Sequence, residues 1–222
     1  MVRRLEAVLW DMDGTLLDSE PLWQAGRNQI AKRYDVEWTE DDHSRAVGKS
    51  LNESADRLRA KGVPLSIEDI NDELVRGVIS VVSSRVPWRP GALELLRAVR
   101  QSGTRNALVT QAFRPLAELV ATASGVGVFA VVVAGDDVTK GKPDPEAYVT
   151  ALKRLGVDSD SAVAIEDSPT GVASAIGAGL RVVAVPYLSD LSDSATGVQV
   201  VTTISDLTIG KLSSLLNTEV RL

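Results

Sequence analysis

The 222-residue chain has no cysteine and a single histidine, His43. Without cysteine there is no disulfide, no thiolate nucleophile, no iron–sulfur cluster and no cysteine-bound zinc. One histidine excludes a multi-histidine metal site and leaves a Ser-His-Asp triad a single candidate base. Positive charge is in deficit, with 24 Lys and Arg against 30 Asp and Glu and a net charge of −6. That balance speaks against a phosphate-backbone footprint, so nucleic acid is not an expected partner. Long apolar runs are missing too. None reaches the ~20 residues of a membrane span, and the run after Arg3-Arg4 is interrupted by Glu6 and Asp11. The expectation is a cytoplasmic protein without membrane association. With 44% apolar and 24% charged residues, the composition is that of an ordinary globular protein. Any enzymatic chemistry must rest mainly on carboxylates, hydroxyls and amines.

Short runs rich in Val, Ala and Ile recur at Leu5–Trp10, Asn106–Thr110, Ala130–Gly135, Ala162–Ile165 and Arg181–Pro186, with Val198–Thr202 as a sixth. Continuous apolar runs of this length read as parallel strands buried on both faces. Helical patterns separate the later runs. Ser168-Pro169 forms an N-cap and first-turn pair closed by Gly179. Asp144-Pro145 opens another helix, with Tyr148, Val149, Leu152 and Leu155 on one face before Gly156. This alternation predicts an α/β fold, a doubly wound Rossmann-like parallel sheet. Between the first two runs the rhythm breaks. Pro90–Ser102 fits the crossover helix, with Leu93, Leu96 and Val99 inward. Glu20–Tyr34, Leu51–Lys61 and Ile67–Val86 carry helical periodicity of their own. The predicted organisation is a core of residues 1–18 and 89–222, with an inserted helical cap subdomain over 19–88.

In such sheets, ligands bind beyond the C-terminal ends of the strands. The polar residues there are Asp11-Met12-Asp13-Gly14-Thr15 after the first run, Thr110 after the second and Glu166-Asp167 after the fourth. Gly141-Lys142-Pro143 precedes the Asp144 helix. Carboxylates gathered at one sheet edge repel unless a cation joins them, and a hard divalent ion with oxygen ligands, Mg²⁺ first, resolves this. A carboxylate beside such an ion is a nucleophile toward phosphorus. A second carboxylate two residues on can protonate the leaving oxygen and then activate water. Lys142 and Thr110 are placed to hold the phosphoryl oxygens. The chemistry suggested is phosphoryl transfer.

The segment Asp11-Met12-Asp13-Gly14-Thr15-Leu16-Leu17-Asp18-Ser19-Glu20 resembles the opening motif of the haloacid dehalogenase superfamily of phosphatases. Thr110, Lys142 in Gly-Lys-Pro-Asp-Pro and Glu166-Asp167-Ser168 resemble its later motifs, in the same order. The resemblance implies Asp11 as nucleophile, Asp13 as general acid/base, and Mg²⁺ held by Asp11, the Asp13 backbone carbonyl and Asp167, with Glu166 direct or through water. Asp13 argues against dehalogenation, in which no leaving group needs a proton. The nearest rival in the family is the β-phosphoglucomutase type, which the Gly48-Lys49-Ser50 stretch resembles. Mutase-like sequences carry a histidine where Trp23 stands and an arginine where Leu51 stands, and that arginine grips a second phosphate. Asp18-Ser19-Glu20-Pro21-Leu22-Trp23 instead resembles sugar- and hexitol-phosphate phosphatases. The expectation is a phosphatase acting on a small phosphorylated metabolite, a sugar or polyol phosphate, as a monomer or weak dimer. A phosphosugar mutase is the alternative within the family, and a catalytically idle binding or regulatory protein is the alternative of another class.

Several residues carry two readings. Trp23 lines the entrance to the site or packs in the cap core. Arg114 binds a substrate group or merely begins a helix at Pro115. Asp18 and Ser19 read as a hinge and helix cap, His43 as part of a solvated face, and Asp136-Asp137 as a solvated loop. Gly135 to Lys142 fails as a P-loop because the spacing is one residue too long and Pro143 replaces Ser or Thr.

Overall fold

The computed structural model describes residues 3–47, 49–188, 191 and 198–217. Within them the apolar runs form β1 (Ala7–Trp10), β2 (Arg105–Val109), β3 (Phe129–Val133), β4 (Ala162–Glu166), β5 (Arg181–Ala184) and β6 (Val198–Val200). The strands lie in the order β3-β2-β1-β4-β5-β6 and every pair is parallel. This is the doubly wound arrangement, with the change of direction beside β1. Alternate residues feed opposite cores, as the two-residue period of a strand requires. Val8, Trp10, Leu108 and Ile165 face one side, while Ala7, Leu9, Ala107 and Ala164 face the other.

Four helices separate β1 from the sheet's next crossover: α1 (Glu20–Arg33), α2 (Glu40–Ala46), α3 (Leu51–Ala60) and α4 (Ile67–Val82). They share an apolar interior of Trp23, Ile30, Leu58, Ile70, Leu74 and Val78, continuous with the core on the Trp10 side of the sheet. The ends of this helical stretch lie side by side. Leu17 bridges Trp88, and the Asp18 amide donates to the Pro87 carbonyl at 2.9 Å. The crossover helix α5 (Ala92–Gln101) follows, then α6 (Arg114–Ser124), α7 (Glu146–Leu155), α8 (Pro169–Gly177) and α9 (Ile209–Leu215).

Two local expectations are corrected. On α5 the inward residues are Leu95, Leu96 and Val99, with Leu93 only half-buried. On α7, Val149 faces solvent, while Ala147, Tyr148, Ala151, Leu152 and Leu155 pack inward, because the buried stripe is centred one position away. Helix α2 has almost no apolar periodicity. It is set instead by a capping box in which the Asp42 amide donates to Thr39 while the Asp42 carboxylate accepts from the Thr39 amide. Gly48 of the Gly48-Lys49-Ser50 stretch lies outside the described residues. Among the described residues no helix is long and apolar enough to cross a membrane.

Candidate active site

The polar residues at the strand ends meet at the switch point. Asp11 extends β1 by one residue, its amide donating to the Ile165 carbonyl of β4 at 3.0 Å. The chain then turns at Gly14, whose φ of 86° is left-handed and where a Cβ would fall on the Asp167 carboxylate. Glycine is required there for both reasons. Across the sheet, β4 ends in Glu166 and runs into Asp167 and Ser168. Ser168 caps α8 by accepting from the Gly171 amide at 3.1 Å. A Cβ at Gly171 would meet the Glu166 carboxylate, so α8 approaches the site only as glycine allows.

Lys142 is the electrostatic centre. Its Nζ donates at 2.6 Å to Asp11 Oδ1 and at 2.6 Å to Glu166 Oε1, and at 3.1 Å to the Val109 carbonyl. These three bonds use all its donors. Tyr148, expected only as an apolar helix position, donates its hydroxyl to Glu166 Oε1 at 2.6 Å and lays its ring 5.1 Å from Nζ. Burial alone would depress the Lys142 pKa. The Asp11 and Glu166 carboxylates outweigh it and hold the ammonium well above its ordinary value. Glu166 is fully buried and also accepts from the Asp167 amide and the Ser168 hydroxyl.

Ligand atoms of Asp11, Glu166 and Asp167 lie within 4.8 Å of one another. Asp11 Oδ2 is buried without a hydrogen-bond partner. Burial, and then the charges of Asp11 and Glu166, push Asp167 well above the usual carboxylate range. An orphaned carboxylate oxygen among mutually repelling acids fits a hard cation, so the residues present suit the divalent metal the donor set implies.

Asp13 stands outside that trio and is held from the helical segment. Its Oδ1 accepts from Ser19 Oγ at 2.6 Å and from the Trp23 indole at 2.9 Å. Its Oδ2 lies 3.5 Å from Thr110 Oγ1. Ser19 precedes α1 but makes no side-chain cap, because its hydroxyl is engaged by Asp13. Burial raises the Asp13 pKa, and the Ser19 and Trp23 bonds only partly oppose this. An indole N–H only donates, so Oδ1 accepts that bond, and Oδ2, with only the 3.5 Å contact to the Thr110 hydroxyl, is the less engaged oxygen.

Trp23 is thus both buried and in contact with the site. Arg114 is elsewhere: its guanidinium pairs with Glu118 and Asp137, and it does not line the cavity. Asp136 and Asp137 are its partners rather than a free loop, since Asp136 also accepts from the Arg114 amide at 3.0 Å. Asp18 accepts from Tyr187. The sequence reading missed Tyr148, Arg27 and Glu20. Tyr148 looked like plain core, whereas the helical spacing of Glu20, Trp23 and Arg27 was a signal for one face of α1.

These groups line a cavity between the sheet edge and the helices. Asp11, Asp13, Thr110, Lys142 and Asp167 lie on one wall, with Glu20, Trp23, Arg27, Lys49 and Leu51 on the other.

The sequence profile of haloacid dehalogenase-like hydrolases matches residues 8–185. A phosphorylated carbohydrates phosphatase of Thermotoga maritima is 35% identical over 179 residues, covering 80% of this chain and 83% of that protein. Hexitol phosphatase A of Escherichia coli is 31% identical over 189 residues, covering 84% and 86%. The crystal structure of CbbY from Rhodobacter sphaeroides with phosphate superposes with a TM-score of 0.82 at 28% identity, covering 91% and 96%. A mutant of that protein has also been crystallised with xylulose-1,5-bisphosphate. The chain belongs to the haloacid dehalogenase-like hydrolase family, in the subgroup that joins sugar-phosphate phosphatases and β-phosphoglucomutase-like proteins.

Proposed function

We propose that the protein is a Mg²⁺-dependent phosphatase that hydrolyses a small phosphorylated metabolite, a sugar or polyol phosphate, through an aspartyl-phosphate intermediate. That it is a phosphoric monoester hydrolase follows from its family and its phosphatase relatives. The observation that carries the finer reading is the contrast between two carboxyls two residues apart. Asp11 is paired with Lys142 and keeps Oδ2 unpartnered, whereas Asp13 is buried with a raised pKa and is gripped by two short bonds at Oδ1, with only the long Thr110 contact at Oδ2.

An Asp11 oxygen bonds to phosphorus as the ester P–O bond breaks, and Asp13 Oδ2 gives its proton to the leaving oxygen. Asp13, now a carboxylate, takes a proton from water, whose oxygen attacks phosphorus and releases Asp11. Thr110 and Lys142 hold the phosphoryl oxygens. For Lys142 such a contact replaces its longest bond, the 3.1 Å one to the Val109 carbonyl. Asp11, the Asp13 carbonyl and Asp167, with Glu166 direct or through water, would hold Mg²⁺, which would offset phosphoryl and carboxylate charge. Residues 19–88 act as the cap, excluding water and contacting the rest of the substrate. The protein works in the cytoplasm as a monomer or weak dimer.

A phosphate-release screen over phosphorylated metabolites tests this. With Mg²⁺ at least one sugar or polyol phosphate is turned over, chelation abolishes turnover, and Asp11→Asn is inactive. Isomer interconversion without net phosphate release would instead establish a mutase, and silence across the panel would overturn the proposal.

A further inference from the structure

Glu20, Trp23 and Arg27 are spaced three and four residues apart on α1, so they form one stripe that lines the cavity. At about 1.5 Å per residue the stripe is roughly 10 Å long. Its reacting end is fixed by the bonds of Ser19 and Trp23 to Asp13. Arg27 therefore lies away from the phosphoryl site, where the unphosphorylated part of a substrate would reach. Its side chain is 3% exposed and ion-pairs with Glu20, which among the described residues is its only carboxylate partner. Arg27 Nε is buried and makes no hydrogen bond. A guanidinium carries five donors, and a buried donor left unmade carries a desolvation cost, so the site is completed by an acceptor. The Glu20 carboxylate supplies the converse, an acceptor for a donor.

The surrounding charges narrow the choice. Behind Arg27, His43 is neutral: its Nδ1 accepts from the Trp38 indole at 3.1 Å, which leaves Nε2–H to donate to Asn28 Oδ1 at 3.1 Å. Lys49 lines the cavity but leans on Glu53 at 3.7 Å. Glu20 and Arg27 together carry no net charge. They offer one acceptor and one donor side by side, which is the complement of neighbouring hydroxyls rather than of an apolar or aromatic group. We infer that the Glu20–Arg27 pair is the specificity element of the cavity, reading two neighbouring hydroxyl groups on the unphosphorylated part of the substrate. This rests on the phosphatase reading above and names the portion of the substrate that the pair selects.

The test compares a hexitol 6-phosphate with n-hexyl phosphate, which has the same chain length and leaving oxygen but no hydroxyls. Two hydrogen bonds to charged groups, each worth roughly tenfold or more, give the wild type a kcat/KM ratio of about 10² in favour of the hexitol ester. Glu20→Gln, which keeps the side-chain volume, and Arg27→Met each bring that ratio to within about tenfold of unity. Because Arg27 is buried and Arg27→Met is a folding risk, unphosphorylated hexitol is also assayed as a competitive inhibitor of the wild type and Glu20→Gln. It inhibits the wild type and loses that inhibition in the variant. A ratio near one in the wild type, or a ratio and inhibition unchanged in Glu20→Gln, overturns the inference while leaving the phosphatase intact. Failure of the wild type to release phosphate from either ester and from the wider metabolite panel overturns the phosphatase reading itself.

Discussion

Lys142→Met tests the electrostatic centre most severely. The substitution keeps a long side chain but removes the ammonium that sits 2.6 Å from both Asp11 and Glu166. Glu166 retains the Tyr148 hydroxyl, while Asp11 loses its cation at Oδ1, and Oδ2 already has no partner. Breaking a buried pair by removing one partner costs about 3–5 kcal/mol. For a domain of this size each kcal/mol shifts Tm by about 2–4 °C, so the expected loss in metal-free protein is roughly 6–20 °C. The effect depends on pH with a definite sign. Glu166 already has a pKa above its ordinary 4.5, chiefly from burial and then from Asp11, and without Lys142 it rises further. A carboxyl whose folded pKa is raised stabilises the fold below its unfolded pKa and loses that contribution as pH rises through the folded value. The deficit of the variant against wild type is therefore smallest below about pH 4.5 and grows toward neutrality. Mg²⁺ places a cation in the same acidic cluster, so it restores part of the lost Tm. Thermal melts at several pH values, with Mg²⁺ and with chelator, measure all of this. A Tm within about 2 °C of wild type in metal-free protein at neutral pH would refute the reasoning.

Three further outcomes follow from other parts of the molecule. Trp23→Phe keeps the ring but removes the 2.9 Å donor to Asp13, leaving Ser19 alone on Oδ1. Steady-state assays should show kcat down by about tenfold or more with little loss of Tm, whereas an unchanged kcat would separate Trp23 from the chemistry. Gly171→Ala drives a methyl into the fully buried Glu166 carboxylate, so melts should show a loss of about 1–3 kcal/mol or more; wild-type stability would mean that α8 can shift away. His43 is held neutral, its pKa lowered first by burial and then by Arg27. Its contribution is thus complete above about pH 6.5 and is lost as pH falls toward its folded value. Wild type should lose more stability between about pH 7.5 and pH 5.5 than His43→Gln does, and parallel curves would contradict this.

Much of the sheet is legible in the sequence because its strands are buried on both faces. Val8, Leu9 and Trp10 need no alternation, and the polar break at Asp11 marks where β1 meets the cavity. The strand-end carboxylates follow from the same logic, since the switch point lies where polar residues end apolar runs. What could not be read depends on partners distant in sequence. Tyr148 looks like an ordinary inward residue of α7, and only the fold brings its hydroxyl to Glu166. Ser19 has the sequence of a helix cap, yet the carboxylate of Asp13 takes its hydroxyl. His43 stands among Asp41, Asp42 and Ser44 and reads as solvated, but the indole of Trp38 and the amide of Asn28 enclose it. Helix α2 carries charge where a periodic apolar face is the usual signal, so only its capping box betrays it. Arg114 follows the strand end closely enough to suggest a substrate contact, but Glu118 one turn on and Asp137 take up its guanidinium.

The central claim is that Asp11 becomes covalently phosphorylated. Rapid acid quench during turnover of a hydrolysed ester, followed by mass spectrometry of the Asp11 peptide, tests it directly. A mass increment of one phosphoryl group localised to Asp11, present in Mg²⁺ and absent from Asp11→Asn, is the expected result. An unmodified Asp11 during active turnover, or a phosphoryl group on another residue, would contradict the account.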